Sequence, residues 1–228
     1  MFFDTNYLIW VFIPTLLLSL AAQFFVKSAY SKWGNQSNSV GLTGAEVAQR
    51  IIGSSNVGAV QLEAVEGELT DHYDPKTHIV RMSRGVGTVP SVAAMAVVAH
   101  ELGHAQQHAE KSLLITARNF LVPAVQFSPT ISYALIFAGL FFQATGLLWA
   151  GILFFGVTVI FMILTLPVEF DASRRGLILL EQAGLMANEQ DRSGSRQVLT
   201  AAALTYVAAA VTAVLQLLYY ISLANRRR

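Results

Sequence analysis

Leu147-Leu-Trp-Ala-Gly-Ile-Leu-Phe-Phe-Gly-Val-Thr-Val-Ile-Phe-Met-Ile-Leu-Thr-Leu166 runs without a charge straight into Pro167-Val-Glu-Phe-Asp-Ala-Ser173. The first stretch has the roughly 20 apolar residues a helix needs to cross the hydrocarbon core of a bilayer. A second apolar run, residues 121–142, comes just before it, and only Gln143-Ala-Thr-Gly146 lies between them. So short a link makes a tight turn between antiparallel helices. Residues 7–26 and 198–224 add two more runs of spanning length. The fold expected is a mostly α integral membrane protein with about four transmembrane helices. A small α+β segment at the membrane surface completes a single domain over residues 1–228.

Composition agrees. The chain is 54% hydrophobic and 13% charged, against about a quarter charged in a soluble domain. Its mean hydropathy is +0.51. The absence of cysteine excludes disulfides and thiolate metal sites. A net charge of +1, with no basic stretch interleaved with aromatics, gives no argument for nucleic acid. Only Asp4 precedes the first apolar run as a charge. A cleaved signal peptide would carry a basic start, so the run reads as a signal anchor.

Two polar segments remain, residues 27–120 and 167–197. Two spans separate them, so both fall on one side of the membrane. All but three of the 15 Lys and Arg residues lie there, and the positive-inside rule makes that side the cytoplasm. The exceptions, Arg226-Arg227-Arg228, end up outside, against the rule. That tension leaves the last apolar run open to being a buried or re-entrant helix.

The first polar segment holds His100-Glu-Leu-Gly-His104. Histidines four apart lie one above the other on a helix and reach one zinc together. The intervening Glu101 is placed to act as general base on the water that the zinc polarises. The helix carrying the motif is expected over residues 89–108, with Pro90 at its first position. His108 shares the face but stands about 12 Å along the axis from His100. It therefore reads as a polar residue at the helix end, where a cation suits the dipole, and not as a ligand.

A catalytic zinc takes three protein ligands and keeps one position open. The third comes from the other polar segment, where Pro167 is expected to start a helix with Glu169 in its first turn. Glu169 is preferred to Asp171, although geometry alone does not separate them, and either carboxylate also suits a helix N-terminus electrostatically. Candidates to stabilise an oxyanion or support the site are Asp171, His72, Tyr73, Arg174 and Tyr206. Turn chemistry beside Pro75 explains His72 and Tyr73 equally well, and Arg174 doubles as a positive-inside anchor.

Elsewhere, Thr43-Gly-Ala-Glu46 has the form of a capping box and would start a short helix. Residues 60–65 and 78–83 read as strands joined in a hairpin. The second is either an edge that pairs with an extended substrate backbone or a plain structural strand.

Three stretches carry a family resemblance: Ala99-His-Glu-Leu-Gly-His-Ala-Gln-Gln107, Leu69-Thr-Asp-His-Tyr-Asp-Pro75 and Pro167-Val-Glu-Phe-Asp-Ala-Ser-Arg174. With the order of spans, they resemble the YugP-type bacterial membrane zinc metallopeptidases along nearly the whole chain. The resemblance implies a membrane-integral zinc peptidase acting on proteins or peptides, with His100, His104 and Glu169 as ligands. HtpX-type and CAAX-processing proteases are more distantly similar. They pair such a helix with Glu-x-x-x-Asp, and here the position four after Glu169 is Ser173. Two alternatives stand beside this function. One is an intramembrane-cleaving protease of the site-2 type. The other is a scaffold whose metal is structural, for which a fourth ligand such as Asp171 or His72 would speak.

Overall fold

The structure is a computed structural model that describes residues 5–226. Asp4, and Arg227 and Arg228 of the terminal triplet, lie outside the described residues. In chain order the elements are α1 (Thr5–Gly34), α2 (Gly44–Ser54), β1 (Gln61–Val65), β2 (His72–Asp74), β3 (Ile79–Ser83), α3 (Arg84–Gly87), α4 (Val92–Ala109), α5 (Leu113–Phe141), α6 (Thr145–Gln182) and α7 (Glu189–Asn225). Of the described residues, α1, α5, α6 and α7 form helices long and apolar enough to cross a membrane. The protein is thus mostly α and built for a bilayer, with a small three-stranded sheet.

The chain divides into two compact units. The first takes in the chain up to Ala22, Thr116–Pro167 and the chain from Thr205 onward. It holds the apolar parts of the long helices. Phe120 and Leu153 are 83% and 72% exposed on it, an arrangement that lipid favours and water does not. Inside, small residues let α5 and α6 approach. A Cβ on Gly139 would meet the Leu148 backbone nitrogen at 2.5 Å, and one on Gly151 would meet that of Ile136 at 2.8 Å. The Ser132 hydroxyl donates to the Gly151 carbonyl at 2.9 Å, and Ser128 to that of Phe154. Close backbones and interhelical hydrogen bonds hold helices together where the hydrophobic effect cannot.

The second unit, Gln23–Ile115 and Val168–Leu204, joins the two polar segments. Its core gathers Val47 and Ile51 of α2, Val80 of β3, Val98 and Leu102 of α4, and Leu179 and Leu180 of α6, all fully buried. α2 starts on the expected capping box. Thr43 Oγ1 accepts from the Glu46 N–H, and Glu46 accepts from the Thr43 N–H at 2.8 Å.

Several expectations are corrected. The two long strands are not a hairpin: β1 and β3 are parallel, with Leu62 opposite Val80. The hairpin partner of β3 is the short β2, antiparallel to it with Tyr73 opposite Val80. Asp74 closes their turn by accepting from Lys76 N–H and Thr77 Oγ1, as short acidic side chains do in turns. The strand order β1-β3-β2 makes β3 the central strand. It therefore offers no edge to a substrate. Pro90 is not the first residue of α4. Ser91 caps that helix, its Oγ accepting from Ala94 N–H at 3.1 Å, so Pro90 falls outside. Pro167 does not start a helix either; it lies inside α6, which continues to Gln182. Membrane helices tolerate the missing N–H because their surroundings satisfy the freed carbonyl. Glu169 is consequently mid-helix, not in a first turn.

Candidate metal centre

The crossing of α4 and α6 builds the site. A Cβ on Gly103 would meet the Ala172 carbonyl oxygen at 2.3 Å, and one on Gly176 would meet that of Ala99 at 2.7 Å. Each helix thus presents a glycine to the other's backbone. Only that closeness lets a side chain as short as glutamate reach the histidines of α4.

His100, His104 and Glu169 come together there, each offering one ligand atom, all within 4.8 Å of one another. Glu169 Oε2 lies 3.3 Å from His100 Nε2 and 3.4 Å from His104 Nε2. Glu169 is 3% exposed, and its Oε2 makes no hydrogen bond. An anionic oxygen out of water without a donor is costly, and a cation among these three atoms removes the cost. Burial favours neutral His104. The Glu169 carboxylate, with the Glu101 charge, outweighs burial and raises its pKa. The pocket is one that attracts positive charge.

The other ring nitrogens are held from behind. Gln107, fully buried, donates through Nε2 to the Val168 carbonyl at 2.9 Å and to Asp171 Oδ2 at 2.8 Å. Both partners are acceptors, so the amide orientation is fixed and Oε1 faces His104 Nδ1 at 3.0 Å. That nitrogen must carry the proton, which leaves the Nε2 lone pair for a metal. His100 Nδ1 lies 3.1 Å from Ser173 Oγ. Asp171 in turn accepts from Arg175 Nε at 2.6 Å and from Arg174 at 3.1 Å. Arg175 reaches back to Gln106 of α4 and to Glu110, the residue just past its end.

Glu101 is 8% exposed, and its Oε2 accepts from the Tyr73 N–H at 2.8 Å. Because β3 lies on the other side of β2, this N–H belongs to the free edge of the sheet. His72 is exposed, its Nδ1 2.8 Å from the Thr70 carbonyl. The Tyr73 hydroxyl sits between His78 Nδ1 at 3.1 Å and His108 Nδ1 at 2.9 Å. Burial and then the Asp74 charge raise the tyrosine pKa. Burial and then His78 lower that of His108, against the cation that the helix end would favour. The Arg174 side chain is 71% exposed, and Tyr206 belongs to the first unit, on α7.

The model of the family described as "Putative neutral zinc metallopeptidase" matches residues 8–225. The chain belongs to this zinc metallopeptidase family. It is also 40% identical over 213 residues to a Bacillus subtilis (strain 168) protein named "Putative membrane protease YugP", covering 93% of this chain and 94% of that one. No solved structure matches. Zinc is the metal of the family, and the two imidazoles with one buried carboxylate suit it.

Gln107, Ser173 and Arg175 were not singled out as site residues from sequence. Gln107 had a signal, being three residues past His104 and so on the same helical face. Ser173 had another, standing at the position where the Glu-x-x-x-Asp pattern noted above would put an aspartate. Arg175 became legible only once α4 and α6 were seen to cross.

Proposed function

We propose that this metallopeptidase is an integral membrane endopeptidase that hydrolyses peptide bonds of proteins or peptides, with Glu101 as general base. The observation that carries the reading is the position of Glu101. It follows a ligand histidine directly, is nearly buried, and is held by a backbone N–H of the sheet edge. Zinc, when bound, supplies Lewis acidity that activates water and polarises a carbonyl. Glu101 takes the proton of the attacking water and delivers it to the leaving amide nitrogen. Ser173 and Gln107 fix the two imidazoles, and Asp171 with Arg175 fixes Gln107.

The alternatives have less support. The two extra ligands a closed structural site would draw on are otherwise engaged, Asp171 by Gln107 and Arg175, His72 beside Thr70. The motif helix α4 is not among the helices long and apolar enough to span, which disfavours a site-2-type protease. The charge distribution supports a cytoplasmic catalytic unit in a multi-pass protein of the cell membrane.

The test compares the wild type with Glu101→Gln in detergent, by zinc content and by cleavage of a casein-like substrate. Zinc should stay stoichiometric while turnover falls about 10²- to 10⁴-fold. Full turnover with zinc retained would remove Glu101 from the mechanism. Glu169→Ala should lower zinc content; stoichiometric zinc in that variant would assign the third ligand elsewhere.

A further inference from the structure

We infer that the cleft between α1 and α7 is a binding site for the phosphate head group of an anionic phospholipid. The cleft holds about 660 Å³ and lies wholly in the second unit. Its register is set by Trp33. The indole Nε1 donates to Gln197 Oε1 at 3.1 Å, and a Cβ on Gly194 would meet the indole ring at 2.6 Å. The two helices run antiparallel past each other, so the level of Lys32 on α1 is the level of Arg196 on α7.

From that level the lining changes along both helices in the same sense. Lys32 and Arg196 supply two cations, with the Ser28 and Ser193 hydroxyls beside them. Five to eight residues on, about 7–12 Å at helical rise, the walls are Phe25 of α1 and Ala201 and Leu204 of α7. These are the points where each helix enters its long apolar run. A cleft cationic at one end and apolar at the other, at the edge of the apolar runs, matches a phosphate with an acyl chain below it.

The cations are available. The Arg196 side chain is exposed and makes no hydrogen bond or ion pair among the described residues. Lys32 has only the Trp33 ring, 4.5 Å from its Nζ, a contact that leaves its donors free. Glu189 is the one carboxylate of the lining, and it stands two turns beyond Arg196 at the outer mouth. Two cations against one carboxylate suit a ligand with a single negative charge, such as phosphatidylglycerol. None of these residues belongs to the metal centre, so the site stands or falls apart from the proposed chemistry.

The experiment uses the full chain, delipidated in detergent, with lipid retention read by native mass spectrometry. The wild type should hold one phosphatidylglycerol and release phosphatidylcholine. Lys32→Gln with Arg196→Gln should weaken retention about tenfold or more. Thr200→Trp, which fills the cleft without changing charge, should do the same. Lys27→Gln, which removes a cation outside the lining, should leave retention unchanged. Zinc content reports that each variant is folded. Equal retention of the two lipids by the wild type would overturn the proposal. So would a loss in Lys27→Gln as large as in the double variant, since the attraction would then be diffuse. Displacement by millimolar inorganic phosphate would overturn it too, by showing an anion site with no use for the acyl chain.

Discussion

At the scale of single residues, the metal centre depends on groups that never touch the metal. Gln107 is the clearest, because one side chain satisfies a backbone carbonyl and a carboxylate and sets the His104 tautomer. Gln107→Ala leaves buried acceptors unpaired and frees the imidazole to turn. Zinc affinity, read by chelator competition, should fall about 10- to 100-fold. The melting temperature of the metal-free protein should fall as expected for a loss of about 1–3 kcal/mol. Unchanged affinity in Gln107→Ala would mean that the orientation of His104 comes from packing alone. A second prediction concerns His108. Its folded pKa lies below the ordinary 6.5 because of burial and His78, so the unfolded chain takes up the proton first on acidification. Stability from this group is level above pH 6.5 and falls as pH drops below it. Between pH 7.5 and 5.5 the metal-free wild type should lose more melting temperature than His108→Gln. Parallel curves would show that the Tyr73–His78–His108 cluster does not exclude the charge.

At the scale of elements, two glycines decide whether the site exists. Gly103→Ala and Gly176→Ala each improve helix propensity by about 0.5–1 kcal/mol. Each also drives a Cβ into a carbonyl of the facing helix, and overpacking of this kind costs about 1–3 kcal/mol or more. The second effect wins, so both variants should melt lower and lose zinc. Gly156→Ala on the same α6, where a Cβ meets nothing within 4 Å, should be neutral or slightly stabilising. If all three behave alike, the close crossing is not what seats Glu169. These elements also mark what sequence could and could not tell. Local chemistry was legible: the capping box on Thr43 and Glu46, the turn at Asp74, and the motif helix. Long-range pairing was not. Nothing in residues 60–65 distinguishes a parallel partner from an antiparallel one, and β2 is too short to show a period of two. Pro167 misled because proline ends helices in water but is tolerated in a helix surrounded by protein and lipid. Glu169 was nonetheless placed beside the histidines by the order of spans, which does not depend on where that helix begins.

At the scale of the whole molecule, the order of spans makes a claim about the membrane. The proposed topology puts the segments before α5 and after the apolar run of α6, which belong to one compact unit, on one side of the membrane, and the turn between α5 and α6 on the other. That shared side, which carries most of the basic residues, is proposed as the cytoplasmic one. The chain has no cysteine, so single substitutions give clean labels. Gln143 of the turn and Lys76 of the β2–β3 turn are both exposed. In intact cells, an impermeant maleimide should label Gln143→Cys and spare Lys76→Cys until the membrane is opened. The reverse pattern would place the metal centre outside and overturn the orientation drawn from charge. Labelling of both in intact cells would show that two spans do not separate them, and that the hairpin of α5 and α6 does not cross. A protease with its site inside would meet substrates as cytoplasmic chains or as the inner ends of membrane proteins. The metal centre would then be reached from water, not from lipid.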